Sequence, residues 1–293
     1  MKYVLYNDLF KVSVRDYGAE LQSIKSVKTG IEYLWQGSDV YWEDRAPVIF
    51  PICGRLCQGK YTYKGKEYQM EMHGFAQRST FKVTEHNPNK VVMEIKANDF
   101  TREQYPFEFT LKLIYELQGN KLTQTYVVEN NDQKELIFTI GGHPGFNVPW
   151  KDGEQYEDYY IEFANDKPQY NIFFNEEGLF NGRKELQTMV DGKIIPLSHD
   201  LFDNDALFLQ DGAKEVAIKS KTNDTTITVK YDDMTRVGLW KDEKTTAPFL
   251  CIEPWCGIPS SVGVIDDLET KKEMTRLASG RTYTASFTIK IKE

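Results

Sequence analysis

One imidazole and one carboxylate carry the clearest chemical signal in the chain. His143 lies in GGHPGFN (141–147) and is one of only 4 histidines. Glu253 lies in PFLCIEPWCGIP (248–259), after an apolar run and before Pro254 and Trp255. Glycine and proline on both sides of His143 shape the backbone and fix the ring at a strand end. A ring that titrates near neutral pH and stays in place is suited to proton transfer. Glu253 sits in apolar surroundings, and a carboxylate kept from water is either paired or shifted toward protonation, which makes it a competent base. A hydrogen-bonded loop histidine and a buried ion pair are the competing accounts of these residues. An acid and a base, each beside aromatic residues, point to chemistry on a sugar.

Three further residues have the types that hold a polyol. His73 stands in EMHGFAQ (71–77), where an imidazole beside glycine is placed to donate to a ligand hydroxyl; a turn histidine is the plainer account. Arg55 ends the apolar segment APVIFPICGRL (46–56) and there requires acceptors, which a polyol, a carboxylate or Glu253 itself would supply. Asp205, in LFDNDALFL (201–209), could accept from sugar hydroxyls, with Asp203 a close rival and turn capping the ordinary explanation of both. The other two histidines, His86 and His199, fall in polar turns and read as surface residues.

The elements that must position these groups are strands. Tyr283, Ala285, Phe287, Ile289 and Ile291 alternate with polar residues, as do Phe107, Phe109, Leu111 and Leu113, and Ile227, Val229 and Tyr231. That period of two marks half-buried strands. Segments 91–96, 122–129 and 136–140 are rich in β-branched residues, and NPNK, LQGNK, ENNDQK and GKEY read as turns. Helix is expected only as one turn at TREQ (101–104) and one short charged segment over 264–277. Many strands with short turns predict an all-β protein, a large antiparallel β-sandwich. With no linker, repeat or low-complexity tract, residues 1–293 are expected to form a single domain.

The 36 basic and 44 acidic residues give a formal charge of −8, which argues against nucleic acid or an anionic membrane as partner and suits a neutral ligand. No apolar run approaches the roughly 18 residues of a membrane span. Asp8 and Lys11 interrupt any signal-peptide core, so a cytoplasmic protein is expected. The cysteine pairs Cys53/Cys57 and Cys251/Cys256 match zinc knuckles weakly, and no metal and no disulfide framework are expected. Glycine-rich nucleotide loops, GxSxG and HExxH are missing, so no cofactor is expected, and proton transfer, hydrolysis or plain binding remain.

Taken in order, DYGAELQSI (16–24), the FP…GR turn ending at Arg55, HGFA (73–76), YPFEFTL (105–111), GGHPGFN, DALFL (205–209) and IEPWCGIP (252–259) resemble the aldose 1-epimerase (galactose mutarotase) superfamily. The version here is more similar to a divergent bacterial branch associated with lactose or galactose operons. The resemblance spans residues 11 to 291 and implies a supersandwich, no cofactor, an aldohexose such as galactose or glucose as ligand, and interconversion of aldose anomers. It makes His143 the general acid and Glu253 the general base, with His73, Arg55 and Asp205 holding the sugar. A carboxylate neighbour is expected to raise the His143 pKa so that acid and base coexist. Within the family the alternative is a hexose-6-phosphate 1-epimerase, for which Arg78 and Lys241 would supply phosphate-binding cations. Outside it stand a non-catalytic sugar binder and a glycoside hydrolase using Glu253 with Asp205. Monomer and homodimer both remain open.

Overall fold

The computed structural model describes residues 1–293 as strands joined by turns, with one short α-helix, Asp99–Gln104. Two large antiparallel sheets dominate. The nine-stranded sheet is centred on Thr282–Lys292, flanked by Lys121–Asn130 and Thr226–Lys230. The eight-stranded sheet runs from Phe180–Leu186 through Tyr170–Phe174, Leu207–Gln210 and Arg236–Trp240 to Phe249–Trp255, then to Gly141–Gly142 and Val48–Ile49. A separate three-stranded sheet is built from Lys2–Tyr6, Phe10–Arg15 and Leu21–Ser26.

Side-chain alternation brings the two sheets face to face. Phe287, Ile289 and Ile291 from one sheet and Val237, Leu239, Leu250 and Ile252 from the other share a core of 67 buried residues. Tyr126 reaches across, its hydroxyl donating to the Gly141 carbonyl at 2.6 Å while Gln124 donates to it at 2.8 Å. The strand Phe249–Trp255 is buried along its whole length. This explains its reading as a continuous apolar run: both of its faces are covered.

The expected turn of helix at TREQ is present and starts two residues earlier, at Asp99. The Asn98 side chain accepts from Thr101 N at 3.1 Å and the Thr101 hydroxyl accepts from Asn98 N at 2.9 Å, closing a capping box. The helix expected over 264–277 does not form. Irregular backbone and short turns occupy 264–274, and Thr275–Leu277 pairs as a strand with Leu136–Phe138. Here side chains compete with the helix for the backbone. The Asp267 carboxylate accepts from Glu269 N at 2.8 Å, and Asp266 binds Lys271 at 2.7 Å while its backbone carbonyl accepts from Thr62 N. With no apolar stripe to bury, nothing favours the helix in return.

The glycines before His143 act through space rather than through an unusual backbone. A Cβ on Gly142 would lie 2.5 Å from the Phe287 ring, and one on Gly141 would lie 2.8 Å from the Trp255 ring. Replacing Gly142 with alanine overpacks the contact between the sheets. The expected loss is about 1–3 kcal/mol of unfolding free energy, read by urea denaturation with an unchanged m-value.

Candidate active site

Register places His143 and Glu253 together. Gly141 pairs with Trp255, and Gly145–Asn147 pairs with Phe249–Cys251, so two short segments share one partner strand. Continuing that register across the gap sets His143 opposite Glu253. The gap is bridged by Ile252 N, which donates to the Pro144 carbonyl at 3.1 Å. Opposed side chains on one sheet face meet directly, and His143 Nε2 lies 3.2 Å from Glu253 Oε2. On the other side Glu253 pairs with Gly238, which in turn pairs with Phe208. A Cβ on Gly238 would lie 3.2 Å from the Phe208 ring and 3.3 Å from Glu253 Cβ, so the missing side chain leaves that row unobstructed.

Both groups lie in a cleft of about 1450 Å³. Aromatic rings enclose the imidazole: Trp42 at 5.0 Å between centroids, Trp240 at 5.7 Å and His73 at 5.6 Å. The Trp255 ring packs against His73 at 5.2 Å and Phe208 at 4.7 Å. Burial pushes the His143 imidazole down to about 4. It also holds the Glu253 carboxyl well above the usual carboxylate range, and the nearby Asp205 charge adds to the rise. The expectation of a His143 pKa raised by its carboxylate neighbour is thus reversed, because withdrawal from water outweighs pairing. Both shifts favour the neutral forms, a carboxyl against an imidazole, and the titration of two groups in such contact belongs to the pair.

The remaining expected residues converge on the same cleft, which His73, Arg55 and Asp205 all line. His73 adopts φ +66° in a tight turn whose next residue, Gly74, has its α-carbon pressed against Phe50; a Cβ there would lie 2.3 Å from the Phe50 carbonyl oxygen. Gly54 N donates to His73 Nδ1 at 3.2 Å, which leaves Nε2 carrying the proton. Burial, with His143 and Arg55 adding to it, lowers the His73 pKa well below the ordinary value, so His73 is a neutral donor. Asp205, at φ +83°, accepts from Ala206 N at 2.6 Å. Burial raises its pKa, against the pull of that hydrogen bond and of Arg55. Arg55 is exposed and makes no salt bridge, neither with Glu253 nor with any other carboxylate. Asp203 lies instead in a neighbouring shallow groove with His199 and Tyr41. His86 is exposed as expected, whereas His199 is half-buried and stacks on Tyr156 at 4.5 Å.

Some cleft residues carry little sequence signal. Trp42 sits in an irregular segment, where its backbone carbonyl accepts from Trp35 Nε1 at 2.9 Å. Glu243 also lines the cleft, its pKa raised by partial burial and then by Asp205. Lys241, expected as a candidate phosphate ligand, is fully buried and donates to the Thr245 carbonyl at 2.6 Å, so it braces the loop and does not face the cleft. All four cysteines are buried and free.

Fold and cleft together define a β-sandwich of the galactose mutarotase-like class. The chain belongs to the aldose 1-epimerase family, whose model matches residues 1–290. It is 32% identical over 299 residues to the plasmid-encoded protein LacX of Lactococcus lactis subsp. lactis, covering 99% of each chain. Among solved structures it is similar to a galactose mutarotase related enzyme from Lactobacillus acidophilus, at 36% identity and a TM-score of 0.96, covering 100% of this chain and 98% of that one. A galactose mutarotase-like protein from Lactobacillus casei ATCC 334 matches at 30% identity and a TM-score of 0.94 over 100% of both chains. No helix is long and apolar enough to cross a membrane.

The depressed histidines give a direct check. On titration from about pH 8 to about pH 5, the His73 and His143 ring carbons should keep neutral-imidazole NMR shifts. A His143 midpoint near the unperturbed value of about 6.5 would contradict the dry pair.

Proposed function

We propose that the protein interconverts the α and β anomers of a free aldose, with His143 as general acid and Glu253 as general base. The observation that carries this reading is the 3.2 Å contact between His143 Nε2 and Glu253 Oε2 inside a cleft that His73, Arg55 and Asp205 also line, residue types suited to a polyol. The pair holds one proton, and the reaction moves one in at one oxygen and one out at another. Transfer of that proton from the Glu253 carboxyl to His143 Nε2 gives the reactive imidazolium–carboxylate form, in which Glu253 takes the C1 hydroxyl proton while His143 delivers its own to the ring oxygen. The C1–O5 bond breaks to give the open aldehyde, C1–C2 rotates, and closure on the other face returns both protons. Asp205 accepts from sugar hydroxyls, and Arg55 and the protonated Nε2 of His73 donate to sugar oxygens. The faces of Trp42 and Trp240 supply apolar contact for C–H surfaces.

The charge of the cleft favours an unphosphorylated sugar. Asp44, Glu71, Glu176, Glu177, Asp242 and Glu243 line it together with Asp205 and Glu253, against the guanidinium groups of Arg55 and Arg78. Arg78 is drawn to Asp44 at 3.5 Å, and Lys241 is committed to the loop carbonyl. A phosphate dianion would enter against this field with few cations to receive it. A glycosidase would need its second carboxylate and Glu253 to share the chemistry across one bond, whereas Glu253 is in contact with an imidazole.

His143→Gln and Glu253→Gln should each slow anomer exchange about a hundredfold, the usual scale for an acid–base group, measured by NMR exchange or polarimetry. Near-wild-type turnover in either variant removes the assignment. In the same assay galactose or glucose should exceed its 6-phosphate by roughly tenfold or more in kcat/KM, equivalent to about 1.4 kcal/mol. A preference for the phosphate would reverse the substrate reading.

A further inference from the structure

Cys251 plays no part in that reaction, yet it is placed to intercept it. Alternation along Phe249–Trp255 sends Leu250 and Ile252 into the main core and turns Cys251 to the same side as Glu253. Cys251 is fully buried, with Trp35 and Phe249 in its cluster and Trp42 and Trp240 packed against it. Across the register it faces Gly145, where an added Cβ would lie 2.9 Å from the Trp42 ring and 3.4 Å from Cys251 Sγ, so the missing side chain lets Trp42 close over the sulfur. One ring nitrogen of His143, Cys251 Sγ and a carboxylate oxygen of Glu253 all lie within 4.8 Å of one another. A second feature singles out this spot: His143 Nδ1 is buried and has no hydrogen-bond partner.

We propose that His143, Cys251 and Glu253 form a binding site for one divalent cation of the zinc class, and that its occupancy reversibly blocks the acid–base pair. Zinc bonds of about 2.0–2.3 Å require ligand atoms roughly 3.5 Å apart in a tetrahedron, so small rotamer changes close the site. Imidazole, thiolate and carboxylate form a mixed donor set that suits zinc or cobalt and not magnesium or calcium. The ligands must lose protons before they bind, which costs free energy that the dication has to offset. Burial raises the Cys251 thiol well above its ordinary range, with Glu253 adding to the rise, and raises Glu253 as well. A bound dication lets both ionise in the dry site with no net charge left over. The thiol proton and the proton shared by the pair leave to solvent, the neutral imidazole contributes its lone pair, and a water or a sugar hydroxyl fills the fourth position. Two released protons make binding tighten as pH rises. The inhibition half of the proposal rests on the acid–base reading above; the binding half does not.

The test uses chelator-treated protein titrated with Co²⁺ in the absence of sugar. One equivalent should bind and give a near-ultraviolet thiolate-to-cobalt charge-transfer band, which Zn²⁺ abolishes by displacement. Cys251→Ser, close in size, should lose the band and at least tenfold in affinity, the lower end expected when a ligand set is impaired. Cys251→Ala should do the same, while Cys53→Ser should keep the band. Zn²⁺ should silence anomer exchange by the wild type and a chelator restore it. Cys251→Ser should turn over within about twofold of wild type and stay active at the same zinc level. No band at one equivalent, or a band that survives in both Cys251 variants, overturns the site. A band without inhibition overturns the blocking role alone. In a protein with no anomerase activity, the presence or absence of the cobalt band still decides whether the site exists.

Discussion

The register of one strand governs the rest of the structure. Phe249–Trp255 pairs on one side with Arg236–Trp240 and on the other with two short segments that break at His143-Pro144. Because side chains alternate with a period of two, a slip of one residue would turn Glu253 and Trp255 into the core and Leu250 and Ile252 into the cleft. The core on one face and the aromatic box on the other fix the register together. The ring contacts that exclude water from His143 also hold the strand that carries Glu253, so packing and electrostatics have a common cause.

Exclusion of water sets the protonation logic of the site. A carboxylate beside an imidazole at the surface forms an ion pair and raises the histidine pKa. Behind Trp42 and Trp240 the cost of leaving water is larger than the attraction, and both groups shift toward their neutral forms. His73 moves in the same direction, for the same first cause. Two neutral imidazoles and a protonatable carboxyl in one dry cleft suit a neutral polyol, whose hydroxyls both donate and accept.

The sandwich was legible in the sequence because alternation is local: 283–291, 107–113 and 227–231 each show it without reference to anything distant. The segments bearing His143, Glu253, His73, Arg55 and Asp205 were legible because glycine, proline or apolar neighbours mark them. What escaped depends on partners far along the chain. The charged stretch 264–277 looked helical until Thr62 and the strand Leu136–Phe138 competed for its backbone. Lys241 stood as a candidate phosphate-binding cation, and only the folded loop shows its ammonium group spent on the Thr245 carbonyl. Trp42 sits in no regular element, so its place over His143 follows from tertiary packing alone.

Where each residue is mounted divides the cleft into two kinds of support. His143 and Glu253 stand on hydrogen-bonded neighbours in the interior of a sheet, while His73, Asp205 and Arg55 project from turns, two of them held at positive φ. Loops accept substitution and length change far more readily than paired strands do. On the proposed reading, the residues that would hold the sugar and those that would open its ring can therefore drift independently. A lineage could then exchange one ligand for another by rewriting the rim while the His143–Glu253 axis stays where the sheet has put it.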